Sequence, residues 1–225
     1  MVVRVPVITV DGPSGSGKGT LAQRIAEALG WHFLDSGAIY RVLGLMVERA
    51  GIGGENVDKI ADMAKVMPLS FDQGRVLLDG EDVSRIIRTE TIGNAASKVA
   101  AIPQVREALL AWQRNYARSP GLVADGRDMG TVVFPQAKVK IFLTASAEER
   151  AQRRYKQLKE KGLGVNLARL TEEIRERDER DSKRAVAPLV ASESAYQLDS
   201  TAMTIDEVYG RAMQIVSAAL SDIQS

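Results

Sequence analysis

The hydrophobic run Val7-Ile8-Thr9-Val10 breaks at Asp11-Gly12 and reads as a short buried strand. Helical spacing follows: Leu21, Ile25, Ala28 and Leu29 share one face, and Gly30 is the kind of residue that ends such a helix. Residues 31–34, 122–124, 139–143 and 196–198 repeat the strand signal, each flanked by polar or turn residues. Helical stretches lie between them, two opening on Ser146-x-x-Glu149 and Thr204-x-x-Glu207, the spacing of a capping box. Alternating strands and helices predict right-handed crossovers and a parallel sheet covered on both faces, with ligands at the strands' carboxyl ends. Asp11, Asp35 and Asp125 stand at such ends. From Gly51 to Pro103 the rhythm changes. Residues 69–71, the turn Asp72-Gln73-Gly74 and residues 75–78 predict a small antiparallel hairpin among short helices, an insertion outside the main sheet.

Composition narrows the chemistry. A chain of 225 residues with 45% hydrophobic content can bury a substantial core, as one domain with insertions or as two small ones. Thirty basic side chains against 29 acidic ones leave a net charge of +1, so no global field gathers nucleic acid or membrane. A small polyanion must be bound by local charge instead. The absence of cysteine removes disulfides and thiolate ligands, and a single histidine removes multi-histidine metal sites. Met1-Val2-Val3-Arg4-Val5-Pro6 lacks the charged start, long apolar centre and cleavage site of a signal peptide, so a cytoplasmic protein is expected.

The most informative stretch is Asp11-Gly12-Pro13-Ser14-Gly15-Ser16-Gly17-Lys18-Gly19-Thr20, set between a strand and a helix. Small residues let successive backbone N–H groups converge on phosphate oxygens, the helix adds the positive end of its dipole, and Lys18 reaches the terminal phosphates. An ordinary glycine-rich turn with a surface lysine is the bland alternative. The hydroxyl expected directly after the lysine is displaced one place, to Thr20, so Mg²⁺ is expected to arrive with the nucleotide and to be held through waters, with Asp125 as the one direct candidate.

Three further stretches carry candidate chemistry. Asp35-Ser36-Gly37-Ala38-Ile39-Tyr40-Arg41 turns from a strand end into a helix; a capped helix with an exposed arginine fits it as well as a phosphate contact. Asp125-Gly126-Arg127-Asp128 follows a strand, where an acid can approach Mg²⁺ and an arginine can approach a phosphoryl group, although the pattern also occurs in surface turns. Arg177, Asp181 and Arg184 have the spacing of one helix face. That stretch, with Glu173–Arg177 and Glu176–Arg180 at i,i+4, also suits a solvated helix. Arg150, Arg153, Arg154 and Lys156 enter the Gly162-Leu163-Gly164 segment, after which Asn166 can cap the next helix. Either a lid closing on phosphates or a plain helical hairpin fits.

The Gly-x-x-Gly-x-Gly-Lys-Gly-Thr loop resembles that of nucleoside monophosphate kinases, and together with the 35–41, 124–130 and 177–188 stretches it resembles the bacterial cytidylate kinases over nearly the whole chain. The resemblance implies a P-loop NTPase-type three-layer α/β/α fold. Its core spans 1–50, 103–155 and 185–225, with a monophosphate-binding insertion at about 51–102 and a helical lid at about 156–184. It implies transfer of the γ-phosphoryl group of ATP to CMP or dCMP, with Mg²⁺, and a monomer that binds neither nucleic acid nor membrane.

The resemblance assigns ATP to Gly12, Pro13, Ser14, Gly15, Ser16, Gly17, Lys18, Gly19 and Thr20, with Arg154. CMP falls to Ser36, Tyr40, Arg41, Ser97, Arg106, Asp125, Arg127, Asp128, Arg177, Asp181 and Arg184. Lys18, Arg41 and Arg127 are its catalytic charges. Asp128, with Arg106 and Ser97, would read the base, and Arg177 and Asp181 the ribose. Periodicity alone leaves Arg106 equally suited to a helix surface. A kinase of an alcohol such as shikimate or a sugar acid would need a general base, whereas this chain offers arginines suited to an anionic acceptor. A nucleotide switch is the remaining alternative.

Overall fold

The computed structural model describes residues 5–72, 74–160 and 164–224. In chain order the elements are β1 (Val7–Asp11), α1 (Lys18–Leu29), β2 (His32–Asp35), α2 (Ser36–Arg49), α3 (Val57–Lys65), β3 (Leu69–Asp72), β4 (Arg75–Leu78), β5 (Glu81–Asp82), α4 (Glu90–Val99), α5 (Pro103–Asn115), β6 (Leu122–Gly126), β7 (Val139–Thr144), α6 (Ala147–Glu160), α7 (Leu167–Ser182), β8 (Tyr196–Asp199) and α8 (Ile205–Gln224). A π-helical turn at Met129–Val133 follows β6. Two compact units result, Met1–Leu34 with Tyr116–Ser225, and Asp35–Asn115.

The first unit is built on a five-stranded sheet in the order β2-β6-β1-β7-β8, so the strand leading into the glycine-rich loop lies at the centre. β1 runs parallel to β6 and β7, and β7 parallel to β8. One face of the sheet, with Ile8, Val10, Val123, Val139, Ile141 and Leu143, packs on apolar residues of α1 and α8. The register places Thr9, Ala124 and Lys140 on the other face. The α/β class with a central parallel sheet is as expected. α1 buries Leu21, Ala22, Ile25 and Ala26, while Ala28 is exposed, so its apolar stripe is rotated from the expected one. Gly30 ends α1 in the left-handed conformation at φ 63°.

The expected capping boxes differ in outcome. Thr204 Oγ1 accepts from Glu207 N while Glu207 accepts from Thr204 N, a complete box. Ser146 Oγ accepts from Glu149 N, but Ser146 N donates to Thr201 Oγ1, so only half of that box forms.

In the second unit the expected hairpin is part of a three-stranded antiparallel sheet, β3-β4-β5. Val76 and Leu78 join Ala38, Val42, Leu45, Val83, Ile87 and Ile92 in a core of its own. α2 and α4 pack closely at Gly44, where a Cβ would stand 2.9 Å from the backbone nitrogen of Ala96. Alanine in a helix normally gains about 0.5–1 kcal/mol over glycine, but overpacking against backbone costs about 1–3 kcal/mol, and the larger effect decides the sign. Gly44→Ala should therefore lower the urea midpoint; a raised midpoint would show that the two helices separate freely.

Candidate active site

The glycine-rich loop emerges from the central strand and runs into α1, whose first residue is Lys18. Gly17, at φ 94°, makes the left-handed entry, and no side chain caps the helix. Nor does an acidic residue stand in its first turn, so the dipole's positive end and the first amides face the loop uncompensated. Lys18 is 9% exposed. Its ammonium donates to Pro13 O at 3.3 Å and stands 3.9 Å from Asp125 Oδ1 on the neighbouring strand β6. Asp125 also explains Gly19: a Cβ there would stand 3.0 Å from Asp125 Oδ2. Ser16 is buried, and its hydroxyl has no hydrogen-bond partner among the described residues.

The loop's carbonyl oxygens are held from behind. Arg150 Nη1 donates to Ser14 O at 3.1 Å, and its Nε to Ala145 O at 2.9 Å. Arg153 Nη1 donates to Ser16 O at 3.3 Å, where Ser200 Oγ also donates, at 3.2 Å. Arg150 is almost wholly buried and forms a forked pair with Asp178 of α7. The sequence leaves a lid and a plain helical hairpin open for Arg150 and Arg153 and does not show this task. Their i,i+3 spacing just after a capped helix start was the available cue. Arg154 lies beside them on α6, within hydrogen-bond distance of Gln157. Asn166 caps α7 as expected, accepting from Arg169 N at 3.0 Å. Gly162 and Leu163, to which the expected hinge was assigned, lie outside the described residues.

At the end of β6, Arg127 Nη1 donates to Gly126 O and its Nε to Asp181 Oδ2 at 3.0 Å. Arg184 donates to the other oxygen of the same carboxylate. α7 stops at Ser182, so Arg184 reaches Asp181 from beyond the helix and not along one face with Arg177. Asp181 is 1% exposed. Burial alone would push its pKa up, but the Arg127, Arg184 and Arg177 guanidiniums together hold it below the usual carboxylate range. Glu173 pairs with Arg169, and Glu176 with Arg180.

Asp128 is 2% exposed and stands just ahead of the π-helical turn. The buried Asp11 accepts from Met129 N and Gly130 N, each at 2.8 Å.

The second unit gathers its own set. Ser36 and Tyr40 are buried on α2, whose start is capped by Asp35. Arg41 donates to Ile87 O at 2.7 Å. Arg106 is 7% exposed and therefore not a surface helix residue; it donates to Ala100 O, and its guanidinium lies 5.6 Å from the Tyr40 ring centroid. Ser97 is buried on α4.

A central parallel sheet, an uncapped helix behind a glycine-rich loop and a lysine paired with an acid on the adjacent strand define the phosphate-loop class of nucleotide-binding α/β proteins. The cytidylate kinase profile matches residues 8–218, and the chain belongs to that family. A cytidylate kinase of Aeromonas salmonicida (strain A449) is 60% identical over 221 residues, covering 96% of each chain. One from Marinomonas sp. (strain MWYL1) is 57% identical, covering 92% of this chain and 94% of its own. Among solved structures, a gluconokinase from Sinorhizobium meliloti 1021 covers 98% of this chain and 96% of its own at a TM-score of 0.50 and 16% identity, a likeness of fold alone.

Asp11 makes the fold sensitive to pH. Burial outweighs its two backbone donors and pushes its pKa up to about 7 from 3.8. Asp128 and Asp125 add to the rise. The native state thus keeps a proton that the unfolded chain has released, so this group's contribution is full below about pH 4 and is lost as pH rises through 7, by no more than about 4 kcal/mol. Urea midpoints from pH 5 to 8 should fall less steeply in Asp11→Asn than in the wild type; equal slopes would place the proton elsewhere.

Proposed function

We infer that this chain transfers the γ-phosphoryl group of ATP to CMP, and to dCMP, giving ADP and the corresponding diphosphate. The observation that carries the transfer chemistry is the uncapped start of α1 with Lys18 beside it and Asp125 opposite. Family membership supplies the acceptor. Loop amides and Lys18 bind the β- and γ-phosphates of ATP, and Arg127 with Arg41 neutralises the acceptor phosphate and the transferring group. A nucleoside monophosphate has a second pKa of about 6, so its attacking oxygen is already ionised at neutral pH and no general base is needed. The scarcity of histidine is then no obstacle.

The donors present suit Mg²⁺. Among the described residues no cluster of three or more His, Cys, Asp or Glu side chains is arranged to hold a metal, while Asp125 presents a single carboxylate beside the loop. Mg²⁺ commonly keeps several waters and binds through one carboxylate plus substrate phosphates, and Asp125 would hold it in that way. When bound, the ion offsets phosphate charge.

Base choice follows from hydrogen-bond polarity. A carboxylate accepts from the exocyclic amine of cytosine and an arginine donates to its N3 or O2, whereas uracil reverses the pattern at N3 and position 4. We assign these roles to Asp128 and to Arg106 with Ser97. Arg177 and Asp181 take the ribose, Arg184 the nucleotide, Ser36 and Tyr40 the acceptor side, and Arg154 ATP. Asp181 has a prior task, since both of its oxygens already accept from arginines, leaving only its remaining lone pairs for hydroxyls.

ADP release measured with CMP, UMP, AMP, GMP, shikimate and no acceptor should be fastest with CMP, and Lys18→Ala should abolish most of it in a folded protein. Rapid turnover of shikimate alone would sink the reading. Asp181→Ala should lower kcat/KM about tenfold or more for CMP and dCMP alike, because it releases Arg127 as well as the sugar. A loss confined to CMP would limit Asp181 to the 2′-hydroxyl.

A further inference from the structure

Two peptide groups of the glycine-rich loop are held by their oxygens. A trans peptide sets its C=O and N–H on opposite sides, so a donor that grips Ser14 O turns the Gly15 amide away from itself, and a grip on Ser16 O does the same for the Gly17 amide. Ser16 O is gripped by Arg153 and Ser200, and Arg153 takes its own carboxylate, Glu149, from one turn back on α6. The grip on Ser14 O is built differently. The aliphatic stem of Arg150 lies against the loop, since a Cβ on Gly15 would stand 3.3 Å from Arg150 Cβ, and Gly15 itself is left-handed at φ 79°. The guanidinium donates to Ser14 O and to Ala145 O just beyond β7, and pairs with both oxygens of Asp178, 28 residues further along the chain on α7. Asp178 thus holds a buried cation whose other hydrogen bonds, among the described residues, go to carbonyl oxygens. Three residues on, in the same helix, Asp181 holds Arg127 at the end of β6.

We propose that Asp178 is a positioning residue for the phosphate donor: by fixing the fork of Arg150 it fixes the Ser14 carbonyl, and so aims the Gly15 amide at a phosphate oxygen of ATP. The proposal rests on the kinase reading for its consequence but not for its geometry. A guanidinium deprived of its carboxylate keeps its charge and turns toward whatever other acceptor or water it can reach. The Ser14–Gly15 peptide is then free to rotate, and a rotated peptide presents its oxygen to the phosphate in place of its N–H. Donor affinity falls. The acceptor side is spared, because Asp181 keeps Arg127 and Arg184 on its own two oxygens.

The test uses Asp178→Asn, whose amide keeps one acceptor oxygen but loses the charge and half of the fork. The Kd for ADP, titrated by calorimetry with no acceptor present, should rise about tenfold or more, as should KM for ATP, while KM for CMP stays within about twofold. In amide NMR spectra the shift that ADP causes at Gly15 in the wild type should shrink in the variant, with the shift at Gly17 kept. If Asp178→Asn does not fold, Arg150→Met carries the test: it keeps an apolar stem beneath Gly15, removes the cation and leaves Asp178, whose side chain is 26% exposed, to water. The same signature is expected of it. A lowered urea midpoint with the Kd for ADP and the Gly15 shift unchanged would confine the pair to stability and overturn the proposal, as would an equal rise in KM for ATP and CMP. A wild-type protein that binds ADP but turns over no CMP defeats the functional reading alone, and the ADP titration then decides the role of Asp178; one that binds no ADP overturns both.

Discussion

A loop can offer all its amides to an anion only if something else satisfies its carbonyl oxygens, and here a buried arginine and a half-buried one do so. Arg150 and Arg153 grip Ser14 O and Ser16 O from the side away from the amides, helped by Ser200. A guanidinium suits this task because its fixed fork donates in several directions at once and it keeps its charge at any working pH. The charge is balanced by Asp178, which places α7. α7 carries Asp181 one turn further on, and Asp181 holds Arg127 at the end of β6. Loop, helix pair and Arg127 are thus linked by charge through the interior of the first unit, where water competes least.

Such a chain of charges is invisible to periodicity. The strands at residues 7–10, 122–124 and 139–143 were legible because buried parallel strands are uniformly apolar, and each is observed with one or two further residues at its carboxyl end. Those added residues, Asp11, Asp125, Gly126 and Thr144, are polar or small, so hydropathy stops short of them. Local polar signals held where no tertiary competitor intervened, as at Thr204 and Asn166, and failed by half at Ser146, where Thr201 took the amide. Periodicity does not mark Arg150 or Arg106 as interior because an arginine on a helix is usually solvated; the three-dimensional supply of carbonyls and an aromatic face makes burial tolerable.

The second unit also directs its arginines through carbonyl oxygens. Arg41 donates to the carbonyl oxygens of Ile87 and Thr89, which follow the small sheet. Arg106 is likewise directed by a carbonyl and a ring face. A carbonyl oxygen directs a guanidinium as a neutral acceptor.

The backbone contact at Gly44 has a mechanical meaning as well. Where two helices meet through side chains, rotamer changes let them slide; where backbone touches backbone, no soft degree of freedom remains between them. α2 bears Ser36, Tyr40 and Arg41, and α4 bears Ser97, so these four side chains sit on a stiff frame whose two helices are held by close backbone packing. Thermal motion of that frame carries them together, so any molecule bound there would meet a ruler of fixed length and not a set of independent fingers.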